Sequence, residues 1–173
     1  MADYTIVVMA VESYLAVPHS VAGTDRDGEH VPDPTVASEV PVERSPEVEA
    51  LAVQWMALLK AGDAAAATSL IGPDEATLLV GNGPADWYPG GQLTIAHLRE
   101  VLTAYGGLPF EPGAPAGWAD GDVGWFADQV RLAFPHKMIP LRMTGVAVRQ
   151  RGQWRLVQVH LSAAVTDEAL LAD

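Results

Sequence analysis

The chain has 173 residues, nearly half of them apolar, and a formal net charge of −12. That length supports one domain with a sizeable core and is short for two. An acidic surface repels phosphates, which argues against nucleic acid and anionic lipid as partners, and the absence of cysteine removes disulfides, thiolate metal sites and a thiol nucleophile.

Residues 1–45 read as an N-terminal extension. Its apolar start, residues 4–17, lacks a basic leader, and Asp3 and Glu12 sit where a signal peptide would be positive or apolar. No run reaches the roughly 18 apolar residues of a membrane helix, so the expected location is cytoplasmic. Residues 23–44 are rich in Pro and acids with no hydrophobic period, which predicts an extended arm. Residues 1–45 hold eight acids and two bases, so a quarter of the chain carries half of the net charge.

Order is expected from Ser45. Ser45-Pro46-Glu47 places a capping residue before a proline at the first helical position, with an acid in the first turn. Val48, Leu51, Ala52, Trp55, Leu58 and Leu59 then recur at helical spacing. Gly62 ends that helix, and Asp63 caps a second, short one reaching Ile71. Residues 76–80 read as a short strand, 81–84 as a turn and 86–91 as an aromatic loop. Thr94 is expected to cap a third helix, with Ile95, Leu98, Val101 and Leu102 on one face, stopped by Gly106-Gly107.

The remainder reads as strand: a short one at 108–111, then long ones at 123–134, 138–150 and 153–164. Short turns between them predict an antiparallel meander. Helices first and sheet afterwards is an α+β order. Alternation places Phe126, Asp128, Val130 and Leu132 on one face of the first long strand, opposite Val123, Trp125, Ala127 and Gln129. On the last strand it groups Trp154, Leu156, Gln158, His160 and Ser162 against Arg155, Val157, Val159 and Leu161.

Several motifs in this order carry a resemblance. They are Leu58-Leu59-Lys60-Ala61-Gly62-Asp63, Asp122-Val123-Gly124-Trp125-Phe126, Leu141-Arg142-Met143-Thr144-Gly145-Val146, and the strand from Gly152-Gln153-Trp154 to His160-Leu161-Ser162. Over about residues 46–165 the chain resembles the SnoaL-like branch of the nuclear transport factor 2 (NTF2)-like superfamily. The remaining residues, 166–173, would be a C-terminal tail. The resemblance implies an α+β cone in which three N-terminal helices pack on a curved, mostly antiparallel sheet around a pocket. It also implies a homodimer through the outer sheet face, where Trp125, Trp154 and His160 are expected.

The same resemblance turns the Phe126/Asp128 and Val157/Val159 faces toward the pocket. Trp55, Trp87, Phe126, Val130, Val157 and Val159 would then contact a ligand. Trp55 falls where ketosteroid isomerase has its oxyanion-holding tyrosine, and Trp87-Tyr88-Pro89 falls in a loop able to cover the cone. That isomerase's two aspartates align with Val80 and about Gly145, so steroid isomerisation is not expected.

Asp128 is the expected general base, desolvated between Phe126 and Val130. His97 and Tyr88 are the companion catalytic candidates. The alternatives for Asp128 are an ion pair with Arg131, Arg142 or Arg149, or exposure near a strand end. His19, His30, His97, His136 and His160 show no metal-ligand spacing, and Gly81-Asn82-Gly83 lacks the rest of a phosphate loop. Neither a metal nor a cofactor is therefore expected. Two functions remain: cofactor-free acid–base chemistry on a hydrophobic oxygenated small molecule, by isomerisation, cyclisation, dehydration or hydrolysis; or a non-catalytic pocket that binds a small molecule or stabilises a partner.

Overall fold

A computed structural model describes residues 42–163. The expectations for residues 1–41 and for the tail at 166–173 lie outside these residues. In chain order the elements are β1 (Glu43–Arg44), α1 (Pro46–Ala61), α2 (Ala64–Ser69), β2 (Leu78–Val80), β3 (Trp87–Pro89), α3 (Gly91–Tyr105), β4 (Phe110–Glu111), β5 (Ala116–Asp120), β6 (Val123–Phe134), β7 (Lys137–Gln150) and β8 (Gln153–Ala163). The eight strands form one sheet in the order β1-β5-β6-β7-β8-β2-β3, with β4 also pairing with β6. Neighbours are antiparallel except β2 and β8, which makes the sheet mixed. No helix among the described residues is long and apolar enough to cross a membrane.

The first helix follows its sequence signals closely. Ser45 accepts the amide of Val48 at the N-cap, and Gly62 ends the helix in the left-handed conformation. Val48, Ala52, Trp55 and Leu59 recur at helical spacing and are all buried. The N-terminus is fixed to the sheet by two acids. Glu47 accepts from Arg149 at 2.7 Å and from the Trp154 indole at 2.9 Å. Glu49 accepts the Gly117 amide at 3.1 Å and pairs with Arg44. Both acids also suit the positive end of the helix dipole.

Along β6 the even residues from Gly124 to Leu132 are buried, and Ala127, Gln129 and Arg131 are exposed. Helix α1 lies on the buried face. A Cβ on Gly124 would stand only 2.5 Å from Val48, so glycine lets helix and strand close together.

Several local expectations need correction. Trp87–Pro89 is not a loop but a strand, paired antiparallel with β2. Helix α3 starts at Gly91, and Thr94 sits inside it, donating its hydroxyl to the Tyr88 carbonyl at 3.0 Å. Glu43–Arg44, expected in the arm, pairs with β5, a strand that the Pro and Gly around residues 112–117 concealed. The faces of β8 also change. Ala147 pairs with Leu156 and Val146 with Gln158, so Val157 is the extra residue of a β-bulge. Beyond the bulge the alternation reverses, and Leu156 and Val159 are both buried. Trp154 therefore stands on the helix-covered side, bonded to Glu47, and does not share the outer face with Trp125 and His160.

Candidate functional site

Asp128 projects from the middle of β6 into the helix-covered interior, between buried Phe126 and Val130, and is only 6% exposed. Among the described residues it is the one buried ionisable side chain, the other buried polar residues being Thr68, Thr77 and Thr94. None of the arginines weighed as its partner is one. Arg131 lies 3.6 Å from Glu111, and Arg149 binds Glu47. Arg131 and Arg142 stand on the opposite, exposed face of the sheet.

One carboxylate oxygen of Asp128, Oδ2, accepts the amide of Gly113 at 3.1 Å. The other, Oδ1, is buried with no hydrogen-bond partner. This arrangement follows from the sheet edge. Both β4 and β5 pair with the same side of β6, at Leu132 and at Ala127 respectively, and residues 112–115 leave the ladder between them. Asp128 satisfies the amide that this excursion frees. Gly113 is needed there, because a Cβ would collide with the Asp128 carboxylate and the Gln129 carbonyl.

The second unpartnered buried side-chain atom among the described residues is the indole nitrogen of Trp55. Trp55 is 1% exposed and lies seven residues beyond Val48 on α1, an advance of roughly 10 Å. Asp128 lies four residues beyond Gly124 on β6, roughly 13 Å along the strand. Because Val48 rests on Gly124, the two unpartnered groups lie at a similar level of the helix–sheet layer. One is a donor and the other an acceptor.

The remaining predicted contacts divide between core and surface. Phe126 and Val159 are core residues. The Phe126 ring lies across Gly145, where any Cβ would strike it. Val157 is half-buried at the bulge and packs toward Gly72. Trp87 is 59% exposed at the sheet edge.

Tyr88 and His97 form a separate unit. Their rings stack with centroids 3.7 Å apart and planes inclined by 14°. Burial pushes the His97 pKa down, outweighing the carboxylates of Asp86 and Glu100, which pull it up. Burial raises that of the Tyr88 hydroxyl, and the negative charge of Asp86 adds to the effect. Both rings are therefore neutral at pH 7. No hydrogen bond or ion pair joins them to Asp128, and β3 stands four strands from β6 in the sheet order. The three expected catalytic residues thus occupy two places.

The sequence reading missed Gly113 as the partner of Asp128, and the signal was weak: a glycine within a Pro-rich stretch. It also missed a groove of about 860 Å³ beside β6 and β7, whose lining includes Gln129, Arg131, Arg142 and Thr144. Of these side chains, strand parity had placed only Gln129 opposite Asp128. Among the described residues, no group of three His, Asp or Glu is positioned to hold a metal.

A mixed sheet with α1 across one face and an α2–α3 pair at its far end defines the NTF2-like fold. An NTF2-like protein of unknown function from Pseudomonas putida KT2440 superposes with a TM-score of 0.62 at 22% identity, covering 73% of this chain and 93% of that one. A provisional dehydratase of the NTF2-like family from Streptomyces avermitilis gives 0.60 at 15% identity, over 69% and 95%. A provisional ketosteroid isomerase from Parabacteroides distasonis gives 0.53 at 18%, over 68% and 85%. At these identities the likeness is one of fold. Residues 48–166 match the SnoaL-like domain, and the chain belongs to that family. No curated protein matches it.

Proposed function

We propose that this SnoaL-like protein performs cofactor-free acid–base chemistry on a hydrophobic oxygenated small molecule, with Asp128 as general base. The observation that carries the reading is the unpartnered Oδ1 of a buried carboxylate with no ion-pair partner. A base needs a free lone pair to take a substrate proton. The Trp55 N–H supplies a donor to a substrate oxygen but cannot itself transfer a proton. Phe126, Val130 and Val159 supply apolar contact. Isomerisation, cyclisation, dehydration and hydrolysis all fit one base and one fixed donor. Tyr88 and His97, as a neutral stacked pair at the sheet edge, serve the entrance, with Trp87 beside them.

The test is Asp128→Asn. The amide keeps the shape and can still accept from Gly113, but it cannot act as a base. Turnover should fall by about two to four orders of magnitude, while ligand binding changes by no more than a lost hydrogen bond, about 0.5–1.5 kcal/mol. A folded, fully active variant would remove the proposal.

A second reading, a non-catalytic ligand-binding module, is favoured by the Gly113 bond, which gives Asp128 a structural task. On that reading Asp128→Asn alters stability and binding only.

We also propose a homodimer through the outer face. The support is the cross-strand patch of Trp118, Trp125 and Val146, all half-buried on the face away from α1. Twofold dimers are the commonest oligomers. Light scattering at micromolar concentration should give twice the chain mass of 18.3 kDa, and a clean monomer mass would exclude it.

A further inference from the structure

The end of the sheet where β7 turns into β8 carries a polar constellation that the acid–base reading does not use. Gln150 pairs with Gln153 across a two-residue turn, Arg151-Gly152, in which Arg151 has φ 52° and Gly152 φ 78°. Such a turn needs a left-handed backbone at both positions, which glycine and asparagine adopt readily and a long side chain does not. Arg151 is the one non-glycine residue with positive φ among the described residues. An arginine in that conformation strains the hairpin, and strain of this kind is commonly kept where the side chain is used.

Arg151 and Arg155 both line a cavity of about 960 Å³ between the C-terminal end of α2, residues 71–74 and this turn. The net charge of −12 repels anions at long range, yet the cavity holds two arginines and a single acid, Asp74. Gln150 donates to Asp74 at 2.7 Å and so engages one of its oxygens. Neither arginine is paired with an acid among the described residues. Gln153 accepts from Arg155 at 2.8 Å, which orients that guanidinium and leaves the Gln153 amide hydrogens to donate. The hydroxyls of Thr68 and Ser69, on the α2 wall, already donate to the Ala64 and Ala66 carbonyls at 2.7 Å. The free donors are therefore the two guanidinium groups and the Gln153 amide.

A guanidinium fork matches the oxygens of a carboxylate or a phosphate, and a phosphate monoester brings three terminal oxygens and close to two charges at pH 7. Two forks and an amide suit that group better than the two oxygens of a carboxylate. The cavity is far larger than a phosphate group alone, and Ile71 and Pro73 give it apolar wall. From this arrangement we propose that the cavity at the β7–β8 turn is a binding site for a small organic phosphate monoester. Its phosphate lies between Arg151 and Arg155, and its body rests toward Ile71 and Pro73. The site is distinct from both places proposed above. Asp128 pairs with Met143, and Arg151 lies eight residues beyond Met143, roughly 26 Å along the strand. Arg151 is likewise five residues beyond Val146 of the dimer patch, roughly 16 Å.

Titration of the full chain with phenyl phosphate, followed by NMR of the arginine side-chain N–H signals, tests it. Saturable shifts at Arg151 and Arg155 are expected, weakening as salt is raised. Arg151→Asn is the sharpest variant, because asparagine suits the left-handed turn. Its binding should weaken by about tenfold or more, while its melting temperature is unchanged or raised. Arg155→Gln should weaken binding to a similar degree. Benzoate and inorganic phosphate should each bind about tenfold or more weakly than phenyl phosphate. Asp128→Asn should leave phenyl phosphate binding intact, which keeps this outcome distinct from a failure of the acid–base reading. The proposal is overturned by an absence of arginine shifts, or by equal affinity in Arg151→Asn. A lowered melting temperature in Arg151→Asn would overturn it, since the arginine would then serve the hairpin itself. Equal affinity for benzoate or inorganic phosphate would overturn it too, as would loss of binding in Asp128→Asn. So would a wild-type dimer that dissociates in Arg151→Asn, since the turn would then belong to a second copy.

Discussion

The long strands β6–β8 and the short hairpin β2–β3 share one sheet but are held by different forces. In the first region helix α1 lies on the buried side of β6, and packing sets positions: Val48 on Gly124, Phe126 across Gly145, Trp55 in the core. In the second, side-chain bonds to backbone add to the strand ladders. Thr77 and Thr94 donate their hydroxyls to the Gly72 and Tyr88 carbonyls, and Asp86 accepts the Gly83 amide. The difference explains the character of the two polar constellations. Asp128 and Trp55 are left with unpartnered atoms in a dry layer, whereas Tyr88 and His97 meet at an edge where neighbouring carboxylates reach them. An interior acid held by packing suits chemistry that excludes water. A half-exposed stacked pair suits a mouth.

Substitutions can break that contrast, beginning with the largest effect. Trp55→Ala should cost about 3–5 kcal/mol in urea unfolding, as large-to-small changes in a filled core do. Trp87→Ala, at an exposed position, should stay within about 0.5 kcal/mol. Similar costs for both would mean that the two regions are not built differently. Gly145→Val should cost about 1–3 kcal/mol, because the new side chain must displace the Phe126 ring. A neutral result would show that the ring is not fixed there.

The smallest effect is a pH dependence at the hairpin end. The folded pKa of His97 lies below its ordinary 6.5. The unfolded chain therefore takes up a proton first as pH falls through that value, and stability declines. Between pH 7 and pH 5 the wild type should lose more stability than His97→Asn. Tyr88 works at the other end: its folded pKa lies above 10.0, so the unfolded chain ionises first and stability declines above that pH. Parallel pH profiles for wild type and His97→Asn would show that burial does not hold the imidazole neutral.

Where one local signal dominated, the sequence was enough. Ser45-Pro46 and Gly62 bounded α1, and alternation along residues 123–134 grouped Asp128 with Phe126, Val130 and Leu132, the set that the fold buries. Where long-range pairing decided, it was not. Trp87–Pro89 is a strand only because β2 lies beside it, and β2 stays ordered through its parallel pairing with β8. The extra residue at Val157 reversed the face of everything beyond it, which alternation by itself cannot foresee. The groove beside β6 and β7 was not legible, because part of its wall comes from the excursion at residues 112–115.

The central claim is that Asp128 removes a substrate proton inside the helix–sheet layer. Its most direct measurement is deuterium incorporation next to the carbonyl of a panel of hydrophobic cyclic ketones in heavy water, catalysed by the wild type and by Asp128→Asn. The account predicts exchange by the wild type on at least one member, slowed about two to four orders of magnitude in the variant at unchanged fold. Equal exchange by a folded Asp128→Asn protein would contradict it, as would an absence of catalysed exchange on every ketone that the protein demonstrably binds.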